Sequence, residues 1–368
     1  MHGCLFKLRN RSPQSLHDFI DIEWKLWVLH PALTYKERAC RKEIFSIREL
    51  TSVYKKEMNN SGASQQDSAA PSTTLVVLNF LLVYLIWGST YLAIKVGVKD
   101  FPPLYMAAMR FLVAGTLLFG IGKLRRETAL LPADRKLAVI SGSLLVCANG
   151  FVCVAETWLS SGLAAMIIGT IPAWITLIHW RFFSGNRPSL KQALGILISI
   201  SGIVFLAGSD TQGAGANRYW GVLTLLASVI LWSFGTLTQR KAGNLRNIFT
   251  FSATQLSGGC VALALLALIF EGPQALLKLH VERESLFAFF YLVIFGSVIA
   301  FSSYLWLSRN VNPTKVSTYA VVNPLVAVWM GWLFANEPIT SGTLISSVLI
   351  ICGIYFVIFD RPLRKASN

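Results

Sequence analysis

Ten stretches of apolar residues fill almost everything after residue 74, near positions 75–98, 104–122, 137–155, 159–180, 192–208, 220–239, 249–270, 286–307, 314–334 and 339–359. Most are close to the length of about twenty residues that a helix needs to cross about 30 Å of hydrocarbon. The connections are short, and the runs lack the strict apolar/polar alternation of a membrane barrel. A soluble chain is excluded by composition. With 54% hydrophobic and 14% charged residues, there is too little charge to cover two or three soluble domains. The chain therefore reads as an all-α membrane protein with ten transmembrane helices.

The loops predict an orientation. Lys123, Arg125, Arg126, Arg135, Lys136, Arg181, Arg187, Lys191, Arg240, Lys241, Arg246, Arg309, Lys315, Arg361, Arg364 and Lys365 fall in alternate connections. The opposite set holds only Lys95, Lys99, Arg218, Lys278 and Arg283, mixed with Asp100, Glu156, Asp210, Glu271, Glu282, Glu284 and Glu337. This bias places both termini in the cytoplasm, as an even number of spans requires. The net charge of +15 is thereby accounted for without nucleic acid, since eleven of the 33 basic residues precede position 60 and most others lie between spans.

Residues 1–57 mix both charges with Trp24, Trp27 and Tyr35 and reach no spanning length, and 58–74 (MNNSGASQQDSAAPSTT) read as a polar, disordered linker. No secretory signal opens the chain, and Met58 would serve as a translation start. Whether the extension is genuine or functional stays open. The six cysteines, Cys4, Cys40, Cys147, Cys153, Cys260 and Cys352, have no ligand-like spacing, and the last four read as small core residues, so neither a disulfide framework nor a metal site is expected.

Sliding the second half over the first by 145 residues places Trp232 on Trp87, Leu237 on Leu92, Arg240 on Lys95 and Gln255 on Arg110. IWGSTYLAIK thus lies over LWSFGTLTQR. Farther on, an offset of 152 puts Pro324 on Pro172 and Trp332 on Trp180, and 151 puts Gly353 on Gly202. With five spans per half, the halves enter the membrane from opposite sides. They are expected to be inverted repeats, a basis for alternating access around a site near the midplane.

The candidate site residues are those that interrupt the apolar runs. Trp87, Ser89, Thr90 and Tyr91 break the first, and Trp232 stands at the matching place in the sixth. Arg110 lies seven residues inside the second run, and an ionised residue there faces a bundle interior, a cavity or an acidic partner. Glu156, at the end of the third run, is a partner for Arg110 or Lys95, or is simply wetted. Pro172 and Pro324 each remove a helical hydrogen bond and are expected to kink their helices, with Thr170 and with Ser317, Thr318, Tyr319 and Asn323 nearby to meet freed backbone groups. Aromatic belts, salt bridges and packing bends are the plain structural alternatives for these residues. Gly195 and Gly202 read as close-packing positions.

No Walker loop, zinc motif, GxSxG elbow or kinase signature is present, so the chain is not read as an enzyme, no cofactor is expected, and any energy comes from a gradient. In combination, IWGSTYLAIKVG, PPLYMAAMRFLVAG, AETWLSSGLAAMIIGTIPAW, GSVIAFSSYLWLSRNVNP and VVNPLVAVWMGWLFANEPIT resemble the EamA-type family of the drug/metabolite transporter superfamily, over about residues 76–360. The resemblance implies ten helices in two inverted five-helix repeats, 75–209 and 217–360, preceded by a cytoplasmic extension and linker, 1–74. It also implies export of small organic metabolites, amino acids or drugs across a bacterial inner membrane, with a cavity lined by the first, third, fourth, sixth, eighth and ninth spans. Glu337 and Pro338 match the family's recurrent acidic residue and proline, whereas the first half has Arg187 and Pro188 instead. The partners expected are membrane lipids and a small organic solute. Coupling to a proton or another ion, a homodimer, and a non-transporting scaffold or sensor stay open.

Overall fold

The computed structural model describes residues 72–184, 187–209, 216–242, 247–277, 279–311 and 313–359. The expected N-terminal extension, nearly all of the linker, Asp210, and the loop cations Arg246, Lys278, Arg361, Arg364 and Lys365 lie outside the described residues.

Among the described residues all regular structure is helical. The principal helices are α1 (Thr73–Gly97), α2 (Pro103–Leu124), α3 (Pro132–Ala155), α4 (Ser161–Phe183), α5 (Leu190–Ser209), α6 (Ala216–Gln239), α7 (Ile248–Phe270), α8 (Arg283–Ser308), α9 (Tyr319–Ala335) and α10 (Ser341–Ile358). Eight of them are long and apolar enough to cross a membrane, whereas α5, over Leu190–Phe205, and α9 are shorter apolar helices. Their outward surface is apolar: Leu85, Leu112, Leu197, Leu265 and Val348 are all exposed, as expected where the solvent is hydrocarbon.

Local chemistry sets several starts. Ser72 accepts from the Leu75 N–H at 3.3 Å, Ser160 from Leu163 at 3.4 Å and Thr340 from Thr343 at 3.1 Å, each a hydroxyl N-cap. Pro103 and Pro132 stand in the first turns of α2 and α3, where a missing N–H costs nothing. The ninth apolar run was read as starting near residue 314. Instead Pro313–Val316 forms one turn of helix, residues 317–318 turn, and α9 begins at Tyr319. Thr318 explains the break, since its Oγ1 bonds the Lys315 carbonyl at 2.5 Å and the Tyr84 hydroxyl at 2.6 Å, competing with helix continuation.

Helices pack in a paired pattern. α2 lies against α7 and α5 against α10; α3 contacts α6 and α7, while α1 contacts α8 and α9, and α4 contacts α6 and α9. The α5–α10 pair is close enough to require glycine. A β-carbon on Gly195 would lie 2.6 Å from the Gly353 carbonyl oxygen, and one on Gly202 would lie 2.8 Å from Ile350. The close-packing role read for both glycines follows from these distances.

Helix N-termini are satisfied across long chain separations. Glu271, just beyond α7, accepts from Leu104 N–H at 2.7 Å and Tyr105 N–H at 3.1 Å at the start of α2. Glu127, just beyond α2, accepts from Phe249 N–H at 3.3 Å, Thr250 N–H at 2.7 Å and the Thr250 hydroxyl at 2.9 Å at the start of α7. The two caps are reciprocal, and Leu104 and Tyr105 lie 145 residues before Phe249 and Thr250, the offset found in the sequence. Left-handed residues aim them: Arg126 at φ 56° precedes Glu127, and Gly272 at φ 72° follows Glu271. Burial raises the Glu271 pKa, while the two backbone N–H groups pull it down.

Replacing Glu127 or Glu271 with Ala should each destabilise the protein by about 1 kcal/mol, the usual worth of a lost N-cap. Arg126→Gly should act in the opposite direction by relieving a left-handed non-glycine residue. Denaturant unfolding in mixed micelles reads all three. Unchanged midpoints in both Glu variants would remove the caps from the account of stability.

Candidate functional site

Three rings form the aromatic part of the site. Trp87 of α1 has its centroid 5.2 Å from Tyr304 of α8 and 5.5 Å from Tyr319 of α9, and the two tyrosines are 5.8 Å apart. Such pairs contribute about 0.5–1.5 kcal/mol each beyond their buried area. The Trp87 Nε1–H is also spent, donating to the Gly296 carbonyl at 3.0 Å. Gly296 belongs to a π-helical segment of α8, Leu292–Ile299, flanked by α-helix on both sides. Single π segments of this kind open helical hydrogen bonding and are frequent at functional positions.

Arg110 of α2 reaches the same segment and is only 5% exposed. Its Nε–H donates to Ser297 Oγ at 2.9 Å and its Nη1–H to Asn149 Oδ1 of α3 at 3.3 Å, and the guanidinium lies 4.9 Å from the Phe111 ring centroid. Both hydrogen-bond acceptors are neutral. The pairing of Arg110 with Glu156, one of the alternatives read from the sequence, does not form, and among the described residues no carboxylate is within hydrogen-bond reach of the guanidinium. An Arg at the centre of a spanning helix costs about 2.5–3.5 kcal/mol on insertion scales, which the Ser297 and Asn149 dipoles offset only in part.

The remaining charged group of the core lies where α1 ends and α4 begins. Lys95 donates through Nζ to the carbonyl oxygens of Glu156 at 2.6 Å and Leu159 at 2.9 Å, capping the end of α3. The Glu156 side chain is 0% exposed, and neither carboxylate oxygen has a hydrogen-bond partner. Of the two roles read for Glu156, it is neither wetted nor hydrogen-bonded to a basic side chain. Burial pushes its pKa well above the carboxylate range, with Lys95 opposing and Glu337 adding to the rise. Glu337 itself accepts from Ser161 N–H at 2.8 Å, Ser161 Oγ–H at 2.9 Å and Gly162 N–H at 3.2 Å, capping α4. Asn336, left-handed at φ 53°, turns the chain so that Glu337 reaches that helix.

The two prolines behave differently. α4 is interrupted between Gly169 and Ile171, where Thr170 bonds its hydroxyl to the Ile167 carbonyl at 2.6 Å and Pro172 occupies the first turn of the following segment. α9 remains helical through Pro324. The interruption and Pro324 face each other: a β-carbon on Gly169 would lie 2.8 Å from Pro324 Cγ and 3.0 Å from the Ala320 carbonyl, the carbonyl that Pro324 leaves without its helical donor. Asn323 is buried beside it with Oδ1 unpartnered.

Of the residues read from sequence, Trp87, Thr90, Arg110 and Tyr319 come together around Gly296, since the Thr90 methyl lies 3.0 Å from the position of a Gly296 β-carbon and Thr90 Oγ1 bonds the Trp87 carbonyl. Ser89 turns instead to the Tyr291 hydroxyl at 2.7 Å and to its own helix. Tyr91 is half-buried against the main core, and Trp232 is half-buried on α6, with no contact to the three rings among the described residues. Tyr304, Asn149, Gly296 and Ser297 were missed. Gly296, Ser297 and Tyr304 stood in the family-like stretch GSVIAFSSYLWLSRNVNP and Asn149 in CANGF, but none was singled out, because small, amide and aromatic residues are common in spanning helices.

The EamA-like transporter family model matches this chain twice, at residues 74–208 and 219–359. The chain belongs to the EamA-like transporter family. It is a multi-pass membrane protein and a transporter. Among similar proteins, the "Uncharacterized inner membrane transporter YedA" of Escherichia coli is 34% identical over 289 residues, covering 77% of this chain and 91% of that protein. The "Probable amino-acid metabolite efflux pump" of Escherichia coli is 24% identical and covers 78% of this EamA-like chain and 95% of that protein. A crystal structure with 19% identity superposes at a TM-score of 0.56, covering 77% of this chain and 96% of that one, a likeness of fold.

Because burial raises the pKa of native Glu156 well above the ordinary value of 4.5 that it regains on unfolding, its contribution to stability falls as pH rises from there. Glu156→Gln should therefore match the wild type near pH 4 and be the more stable of the two at pH 8. Melting of both proteins across that range tests it, and parallel curves would refute the buried, protonated carboxyl.

Proposed function

We propose that this EamA-like protein is a secondary transporter that exports small organic solutes by alternating access across a bacterial cytoplasmic membrane. On this reading its ten apolar helices all span. They form two inverted halves, 75–209 and 217–360, following a cytoplasmic segment, 1–74, with both termini in the cytoplasm. The α1–α2, α3–α4 and α9–α10 connections are then external.

The observation that carries the reading is the contrast between two kinds of contact. The α5–α10 pair is held by backbone-close glycine packing, which does not slide readily. The external end is instead tied by a few charge-assisted hydrogen bonds, Glu337 to Ser161 and Gly162 and Lys95 to the 156 and 159 carbonyls. Such bonds can be exchanged for water at small net cost. The interruption of α4 beside Pro324 supplies a flexible point in each of two facing helices. Trp87, Tyr319, Thr90 and Arg110 line the solute path, with Tyr91, Ser89, Trp232, Thr170 and Asn323 in supporting positions, Glu156 as an electrostatic element, and Pro172 and Pro324 as the pivots. The efflux pump named above supports export of a metabolite; the absence of a nucleotide-binding loop in the sequence supports a gradient as the energy source. Glu156 is the group placed to carry a proton if the gradient is of protons.

Cells overproducing the protein should show a lower internal-to-external ratio of the exported metabolite than wild-type cells, and cells lacking it a higher one. Metabolite profiling of the three strains checks this. Ratios that do not move in opposite directions for any compound would sink the export reading.

A further inference from the structure

Arg110 has five N–H groups, and the protein uses two. Nε–H goes to Ser297 and one Nη1–H to Asn149, while Nη2 has no hydrogen-bond acceptor among the described residues. One acceptor is already turned toward the cation: Ser297 gives its own hydroxyl hydrogen to the Leu292 carbonyl at 3.0 Å, leaving its oxygen free to accept. The guanidinium is thus oriented by two neutral groups, with its Nη edge free and no carboxylate beside it. Space next to that edge is kept by a glycine. A β-carbon on Gly296 would lie 3.2 Å from Nη2 and 3.0 Å from the Thr90 methyl. The same glycine's carbonyl holds Trp87, so the free edge of the cation and the Trp87, Tyr304 and Tyr319 rings meet at one residue of the π segment.

We propose that the free Nη edge of Arg110 is the receptor for the carboxylate of the transported solute, whose body lies against Trp87, Tyr304 and Tyr319. A guanidinium edge matches a carboxylate with two parallel hydrogen bonds, which an amide or an amine cannot reproduce with a matching charge. Lys95 is not an equivalent receptor, because both of its bonds go to backbone carbonyls and a buried carboxyl stands beside it. The assignment rests on the transport reading above and names the class of solute: an organic acid or amino acid, in preference to a cationic amine.

The test uses the full chain in proteoliposomes and three matched probes: phenylalanine, its carboxamide and phenethylamine. Wild-type protein should move phenylalanine and leave the other two essentially unmoved. Arg110→Gln should raise the KM for phenylalanine by about tenfold to a hundredfold, the range for a hydrogen-bonded charge, with a smaller change in kcat. Arg110→Lys should recover part of that loss. Gly296→Ala retains Arg110, Ser297 and Asn149 and crowds the free edge together with the Thr90 methyl; it should raise the same KM several-fold, and it keeps the test decisive if Arg110→Gln fails to fold. A melting shift on adding phenylalanine should be present in the wild type and absent in Arg110→Gln. Transport of the amine or amide as readily as the acid would overturn the carboxylate assignment and leave the transporter standing, as would an unaltered KM in Gly296→Ala. An equal melting shift from sodium chloride, meaning a small-anion site only, would overturn it too. If no member of a broad amino-acid and drug panel moves under a proton or sodium gradient, both readings fall.

Discussion

A helix that starts inside or beside a membrane has N–H groups with little or no water to receive them, and this chain answers that need with glutamates borrowed from elsewhere in the fold. Glu271 serves α2, Glu127 serves α7 and Glu337 serves α4, over separations of 122 to 176 residues. In each case a left-handed residue at the end of one helix aims the carboxylate at the start of another. Termination of one element is therefore initiation of another, and the halves of the chain cannot be assembled independently. The anionic cap also complements the positive end of the helix dipole, so each contact carries charge as well as a hydrogen bond.

The same device is symmetric in one place and broken in another. Around α2 and α7 the two caps answer each other at the repeat offset. Glu337 has Arg187 at the matching place in the first half, so α4 has a carboxylate from the second half with no acidic counterpart returning from the first. The aromatic cluster is one-sided in the same way: Trp87 meets Tyr304 and Tyr319, whereas Trp232 has no contact with these rings among the described residues. A fold built on two like halves thus concentrates its charged and aromatic chemistry on the α1–α8–α9 side, next to the buried Arg110.

Legibility in the sequence followed the range of the interaction. Helix positions came from runs of apolar residues, a local property, and most ends agree with the structure to within about four residues, although α3 begins at Pro132, five residues before its apolar run, because its first turn is polar. The start of α9 was lost because Thr318 spends its hydroxyl on Lys315 and on Tyr84, a residue 234 positions away. Arg110 stood out because a charge inside an apolar run is conspicuous wherever it points. Ser297, Asn149 and Gly296, which orient it and make room for it, did not, because small and amide residues in spanning helices are ordinary until their neighbours are known.

What the sequence by itself determined was the family and, apart from the starts of α3 and α9, the place of the apolar helices, since both are written in composition and spacing along a single chain. Which groups pair was decided only by tertiary structure. Lys95 meets backbone carbonyls, Glu156 is left without a hydrogen-bond partner, and Arg110 takes two neutral acceptors, an acidic partner having been one of the alternatives the sequence left open. The physical reason is geometric: a period of 3.6 residues says which face of a helix a side chain occupies, while hydrogen bonds depend on distances of about 3 Å between helices that are brought together by loops and caps far apart in the chain.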